Sequence, residues 1–384
     1  MLTRAKSFTP TKAISFLARI DWILFVSALL LTAAGLITMN SLVGNNPFFE
    51  KQLIWTSIAV AVFFVFSAID FRFLRRTPVV VSLFVLSVLS LIILLLLGDV
   101  VKGAQTRFDL GFFGVQPSDL VKLVVILVLA KYFSRRHVEI AHIRHILVSG
   151  FYAFVLFFLV FLQPDFGSAI IIFLIWLGMV LISGISKKHL ALVFLLGALV
   201  FAGLWSFAFE DYQRQRILTF IHPLADLQGT GYNAYQSTVA VGSGEILGRG
   251  VGYGTQSKLQ FLPEYETDFI FAAFAEEWGF IGVLILFVLF GIVLWRIIRH
   301  AMRGATNFEV LFGAGLAILV MSQFTIHVGM NIGLLPVTGS TLPFMSYGGS
   351  HLVAEFIGLG ILMGMSRYSR VMHRDDGEHE EFPT

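Results

Sequence analysis

Ten separate stretches of this chain are apolar enough, and nearly all long enough, to cross about 30 Å of hydrocarbon, and that pattern restricts the fold before any single residue is weighed. They fall near 22–43, 52–69, 78–98, 119–133, 145–162, 167–184, 189–209, 268–298, 308–332 and 350–366, with 119–133 short and 268–298 overlong. A segment in lipid must satisfy its backbone N–H and C=O groups internally, which leaves helices or a closed barrel. These runs are too long and too continuously apolar for barrel strands. The sequence therefore predicts an all-α polytopic membrane protein of about ten transmembrane helices. Charged residues are 13% of the 384, where a soluble domain carries about 25%. The first run follows Arg4, Lys6, Lys12 and Arg19 but is longer than a signal-peptide core, so it reads as an uncleaved span.

Alternate loops differ in charge. Nineteen Lys and Arg lie on the side that holds the N-terminus and seven on the other, which with Lys122 inside a span accounts for all 27. The positive-inside rule then predicts both termini in the cytoplasm, with the loop at 210–268 outside. Residues 1–21 read as a cytoplasmic N-terminal segment, 22–368 as one membrane domain and 369–384 as a disordered acidic tail. A net charge of +3, without a basic patch, excludes a nucleic-acid partner. The absence of cysteine excludes disulfides, thiolate metal sites and a cysteine nucleophile.

The long polar loop ends in Phe261-Leu-Pro-Glu264-Tyr-Glu-Thr-Asp268-Phe-Ile-Phe, and a loop of that length between spans is uncommon without a function. Thr267 is a good N-cap type, which would place Asp268 at the first helical position, either complementing the dipole or serving as a boundary carboxylate. Asp119 and Lys122, three residues apart after Gln116-Pro-Ser, share a helix face. They are either a self-neutralising pair or a lysine offered to an anionic substrate group, with Arg107 upstream able to serve the same cavity. Glu276 and Glu277 cannot both face one cavity with Asp268, so at least one is expected to pair with a neighbouring cation, Lys122 being a candidate. Two Gly- and Pro-interrupted segments, at 163–167 and 336–350, belong at membrane depth only if they line a cavity or pack inside protein. No Walker A, Rossmann or metalloprotease pattern is present.

Taken in order, these motifs resemble the SEDS family (shape, elongation, division and sporulation) over nearly the whole chain. They are Arg107 with Gln116-Pro-Ser-Asp119-x-x-Lys122, Gln163-Pro-Asp165-x-Gly167, Gly231-Tyr-Asn, Leu262-Pro-Glu264-x-x-Thr-Asp268 with Glu276-Glu277-x-Gly279, and Pro336-x-Thr-Gly339-x-x-Leu-Pro343-x-x-Ser346-Tyr-Gly348-Gly349. The stretches 256–263 and 330–336 look more like the family's elongation members, the RodA type, than its division members, the FtsW type. Asp119, where the family commonly has Glu, and His351, where it commonly has Ser, depart from the usual pattern.

The resemblance implies a peptidoglycan glycosyltransferase that polymerises lipid II during cell elongation, with Asp268 as general base. It implies substrate contacts from Arg107, Asp119, Lys122, Glu264 and Ser346, and a cavity shaped by Glu276, Glu277, Pro343, Gly348 and Gly349. A divalent cation, magnesium or manganese, is the one cofactor it allows for, with no organic cofactor. Besides membrane lipid, the implied partner is a class B penicillin-binding protein that supplies the transpeptidase. The alternatives are a flippase for the same lipid and a non-catalytic scaffold of the elongation complex.

Overall fold

A computed structural model of the chain describes residues 20–42, 47–98, 106–109, 114–135, 143–207 and 230–378, together with 214, 218 and 220. Nearly all of the expected N-terminal segment, much of the loop after residue 207 and the last six residues lie outside these. The described residues form helices α1 (Trp22–Leu42), α2 (Pro47–Ala68), α3 (Thr77–Leu97), α4 (Pro117–Ser134), α5 (Ile143–Phe161), α6 (Phe166–Ile182) and α7 (Lys187–Phe207). After these come α8 (Thr230–Ser243), α9 (Ile270–Met302), α10 (Asn307–Asn331) and α11 (Gly349–Glu378). A short antiparallel hairpin pairs Phe108 with Val115 ahead of α4. Each predicted apolar run falls on a helix. Seven helices have both the length and the hydropathy of membrane spans: α1, α2, α3, α5, α9, α10 and the Gly349–Arg367 part of α11. The protein is thus a helical multi-pass membrane protein.

α4 does not qualify on composition, because Asp119, Lys122 and Lys131 interrupt it, and its position explains how it tolerates them. It packs against α3, α5, α6, α10 and α11, and thirteen of its 18 residues are buried, Asp119 and Lys122 included. Protein rather than lipid surrounds it. α3 is its opposite, free of charged residues, entirely apolar over its last seven residues and exposing Val81, Leu86, Leu96 and Leu97.

The 210–268 segment is more folded than a loop. α8 packs on α9 and α10, a single helical turn forms at Thr255–Lys258, and residues 245–250 lie along α9. The reason is a break in α9. An unbroken helix of 33 residues would span about 50 Å, but Gly279 adopts φ 63°, ψ −167°. The break frees two carbonyls and two amides, and the loop supplies their partners. Arg249 and Gly250 N–H donate to the carbonyls of Glu276 and Glu277 at 2.9 and 3.0 Å, while Phe280 and Ile281 N–H donate to Glu245 and Ile246 at 2.9 and 3.1 Å. A Cβ at 279 would meet Gly248 N at 2.2 Å, so both the positive φ and the close approach require glycine.

The same loop accounts for Glu276 and Glu277, and corrects the expectation that they line the cavity or pair with a cation. Glu276 accepts the N–H groups of Gln256 and Ser257 at 2.8 and 3.3 Å and the Ser257 hydroxyl at 3.0 Å. Glu277 accepts the Ser41 hydroxyl of α1 at 2.6 Å and Gly252 N–H at 2.7 Å. Both carboxylates are consumed in holding the loop against the break, so neither is left to Lys122.

Two further expectations change. The backbone of α11 remains helical to Glu378, ten residues past the boundary at 368, because nothing between Arg367 and Asp376 breaks a helix. At the other end of α11, Gly349 lies directly against Trp55 of α2. A Cβ there would sit 2.0 Å from the indole ring. Gly349→Ala should therefore destabilise the protein by about 1–3 kcal/mol through overpacking. Thermal unfolding in detergent should detect the loss, with Trp55→Leu in the same chain recovering part of it.

Candidate functional site

Four helices begin at one place. The N-terminal residues of α4 (Gln116, Asp119), α6 (Asp165, Phe166, Ser168) and α11 (Gly349, Ser350, His351), and the turn leading into α9 (Thr267, Asp268, Phe269), all line a cavity of about 830 Å³. Helix N-termini carry unsatisfied amides and partial positive charge. A cavity ringed by four of them favours an anion, and Lys51, Arg107 and Lys122 also line it. Phe48, Trp55 and Tyr347 add an apolar and aromatic wall. Burial pushes the Tyr347 phenol up from its usual range, with Arg107 opposing, so the ring stays neutral at physiological pH.

Each helix start is held by a side chain from elsewhere. Pro117 occupies the first turn of α4, where its missing N–H costs nothing. Asp165 caps α6 through Ser168 N–H at 3.0 Å, and its other oxygen receives Gln116 Nε2 at 2.9 Å and Ser118 Oγ at 3.2 Å from α4. One carboxylate thus joins two helix ends, a role that the Gln-Pro-Asp motif did not reveal. Asp119 and Lys122 do pair, at 3.1 Å and both buried. The second Asp119 oxygen receives Ser350 Oγ from α11 at 3.0 Å, and Gln116 N–H donates to that same hydroxyl at 3.2 Å.

Asp268 is not at the first helical position, nor is Thr267 the cap. α9 starts at Ile270 after Phe269, without a side-chain cap of its own. Asn331, at the end of α10, takes that role. Its Oδ1 accepts Ala272 N–H at 3.2 Å, and its Nδ2 donates to the Asp268 carbonyl at 3.0 Å and to the His327 carbonyl at 2.8 Å. Ser346 Oγ donates to the Thr267 carbonyl at 2.8 Å. The backbone on both sides of the Asp268 Cα is therefore fixed from two other elements, while its carboxylate faces the cavity beside Gly339. Asn331 carried no sequence signal, since the amide it caps lies 59 residues away.

Of the sequence-predicted residues, Arg107, Asp119, Lys122, Glu264, Asp268, Gly348 and Gly349 converge on the cavity. Ser346 and Pro343 are buried behind it, and Ser346 serves as a backbone staple rather than a substrate contact. Among the described residues, no three His, Asp or Glu side chains gather as a metal cage. The carboxylates of Asp119 and Asp165 are engaged by neighbouring donors.

A family model described as cell cycle protein, covering FtsW, RodA and SpoVE, matches residues 14–371. The chain is 37% identical over 292 residues to a protein of Escherichia coli K12 named peptidoglycan glycosyltransferase MrdB, covering 76% of this chain and 79% of that one. It is 34% identical to stage V sporulation protein E of Bacillus subtilis over 360 residues, 91% of this chain and 98% of that one. Among solved structures, a chain of a peptidoglycan synthase complex, described as coordinating polymerization and crosslinking, superposes with a TM-score of 0.78 at 29% identity, covering 91% of this chain and 98% of that one. The rod shape determining protein RodA of Thermus thermophilus gives 0.68 at 27% identity, covering 90% and 96%.

The importance of Asn331 can be measured directly. Asn331→Leu, close in volume, leaves a buried N–H and a buried carbonyl without partners and should cost about 1–3 kcal/mol. Ser57→Ala, which removes only an exposed hydroxyl bond within α2, should cost much less. Thermal unfolding of the two variants side by side provides the comparison.

Proposed function

The chain belongs to the FtsW, RodA and SpoVE family, and on that premise we propose that it is a peptidoglycan glycosyltransferase that polymerises lipid II for cell elongation. The observation that carries this reading is the position of Asp268: a carboxylate held at the wall of a cavity also lined by helix N-termini, by Lys51, Arg107 and Lys122, and by the carboxylates of Asp119, Asp165, Glu264 and Glu266. Lipid II is a glycan joined to a lipid pyrophosphate. Polymerisation forms a glycosidic bond between an acceptor hydroxyl and the anomeric carbon, while the bond from that carbon to the pyrophosphate breaks.

The residues divide between the two ends of that step. Asp268 accepts the hydroxyl proton as the acceptor oxygen attacks, and its fixed backbone keeps the carboxylate in place as it does so. The pyrophosphate departs with its negative charge, and Lys122, Arg107 and the helix N-termini stabilise that charge without reorganising. Glu264 lines the same wall and is placed to receive donor groups of the sugar. The reading extends to a crosslinking partner, a class B penicillin-binding protein, and its support is a structural neighbour from a peptidoglycan synthase complex described as coordinating polymerization and crosslinking.

Asp268→Asn keeps shape and hydrogen bonding but cannot take a proton at neutral pH. Polymer formation from purified lipid II should fall by roughly a hundred- to ten-thousand-fold, with thermal stability within about 1 kcal/mol of the parent. Near-normal polymerisation would remove Asp268 from the base role.

The basic asymmetry supports a cavity that opens on the outer face. In this chain without native cysteine, Tyr235→Cys should react with an impermeant thiol reagent in intact spheroplasts, and Arg135→Cys should not. Labelling at 135 alone would invert the topology.

A further inference from the structure

Behind the Asp119–Lys122 pair lies a second buried carboxylate. Glu355, one turn below the cavity on α11, is 4% exposed and accepts Phe344 N–H at 2.6 Å. Its cation comes from its own helix: His351 Nε2 stands 3.0 Å from Glu355 Oε1. The other ring nitrogen, Nδ1, stands 3.4 Å from Asp119 Oδ1, the oxygen that also holds Lys122. His351 therefore lies between two carboxylates on two helices, with Nε2 also 2.9 Å from the Thr341 hydroxyl. A neutral imidazole leaves Glu355 Oε1, which has no hydrogen-bond partner, facing an uncharged ring, whereas an imidazolium places positive charge between both carboxylates.

Charge leads to the same state. Two carboxylates and one ammonium leave a net negative charge in a buried cluster beside an anion's cavity, which is costly to bury and repels the ligand. A protonated His351 closes the sum to zero. The arrangement is also polarised, because Lys122 and His351 line the cavity while Glu355 does not. The titratable groups facing the ring are Asp119 and Lys122 of α4, Glu355 of α11 and His327 of α10, whose Nδ1 is 2.7 Å from the Ser340 carbonyl.

We infer that His351 is a positioning residue for Lys122: as an imidazolium bridging Asp119 and Glu355, it neutralises the second carboxylate and leaves the lysine directed at the substrate's pyrophosphate. This rests on the glycosyltransferase reading for its consequence, but not for its geometry. Without the imidazolium, the cluster keeps a net negative charge beside the cavity and repels the anionic substrate. Because the pyrophosphate is anionic both before and during transfer, the loss falls on KM more than on kcat.

The test combines a charge-matched pair of variants with a spectrum. His351→Gln should raise KM for lipid II about ten- to a hundredfold with a small change in kcat. His351→Gln with Glu355→Gln removes one charge of each sign and should bring KM back to within about threefold of the parent. A double variant as impaired as the single, or worse, assigns His351 to packing and overturns the inference. Nitrogen-15 spectra of histidine-labelled full-length protein at neutral pH, with the His351 signals identified by their loss in His351→Gln, should show both ring nitrogens protonated. A neutral ring overturns the inference whether or not the protein polymerises. If the parent chain makes no glycan from lipid II, the glycosyltransferase reading fails, and the ring spectrum alone decides the network.

Discussion

A helix that starts or breaks at membrane depth leaves amides and carbonyls without partners, and hydrocarbon supplies none. This chain breaks or begins helices there repeatedly and in each case provides the partner from another element. Residues 245–250 pair with the backbone freed at Gly279, Asn331 caps α9 from α10, and Asp165 holds both α6 and α4. Remove those partners and each interruption costs several kcal/mol. With them, the chain can gather four helix starts around one cavity. The site exists because the backbone at the Gly279 break and at the start of α9 finds partners on other elements.

That pairing also decides which carboxylates are available for chemistry. Asp119, Asp165, Glu264, Glu266 and Asp268 line the cavity, Glu276, Glu277 and Glu355 lie behind it or at the break, and several of these have fixed work. Asp165 caps, Glu276 and Glu277 hold the loop, Asp119 anchors Lys122 and Ser350, and Glu355 balances His351. At Asp268 the backbone is held by cross-helix bonds, from Asn331 to its own carbonyl and from Ser346 to that of Thr267, and the carboxylate lines the cavity. A base needs a fixed Cα and an accessible oxygen, and this arrangement provides both. The same cavity concentrates positive potential from helix ends and cations, where a low local dielectric makes it count for more than it would in water.

At the far ends of the helices, charge serves to fasten rather than to bind. Asp21, ahead of α1, pairs with Arg296 and with His300 of α9, both at 2.5 Å, and Glu309 of α10 takes Arg75. α1 and α9 are thus tied at two points, since Ser41 of α1 also reaches Glu277. A helix broken at Gly279 needs such ties, because each half must be located separately.

Sequence alone determined the helical membrane class, the position of each apolar helix to within about five residues except for the C-terminal end of α11, and the Asp119–Lys122 pair. All of these depend on short-range quantities: the length of an apolar run, or a spacing of three on one helix face. It also singled out Asp268 through a motif, while misplacing it at a first helical turn capped by Thr267. What tertiary structure decided was partnership over distance. Glu277 meets Ser41 across 236 residues and Asn331 reaches Ala272 across 59, and no local spacing encodes either contact. Hence Ser346 turned out to be a staple, Glu276 and Glu277 loop anchors, and His351 a bridge between two helices. Periodicity reports which face of a helix is apolar, but only packing sets which polar group stands opposite it.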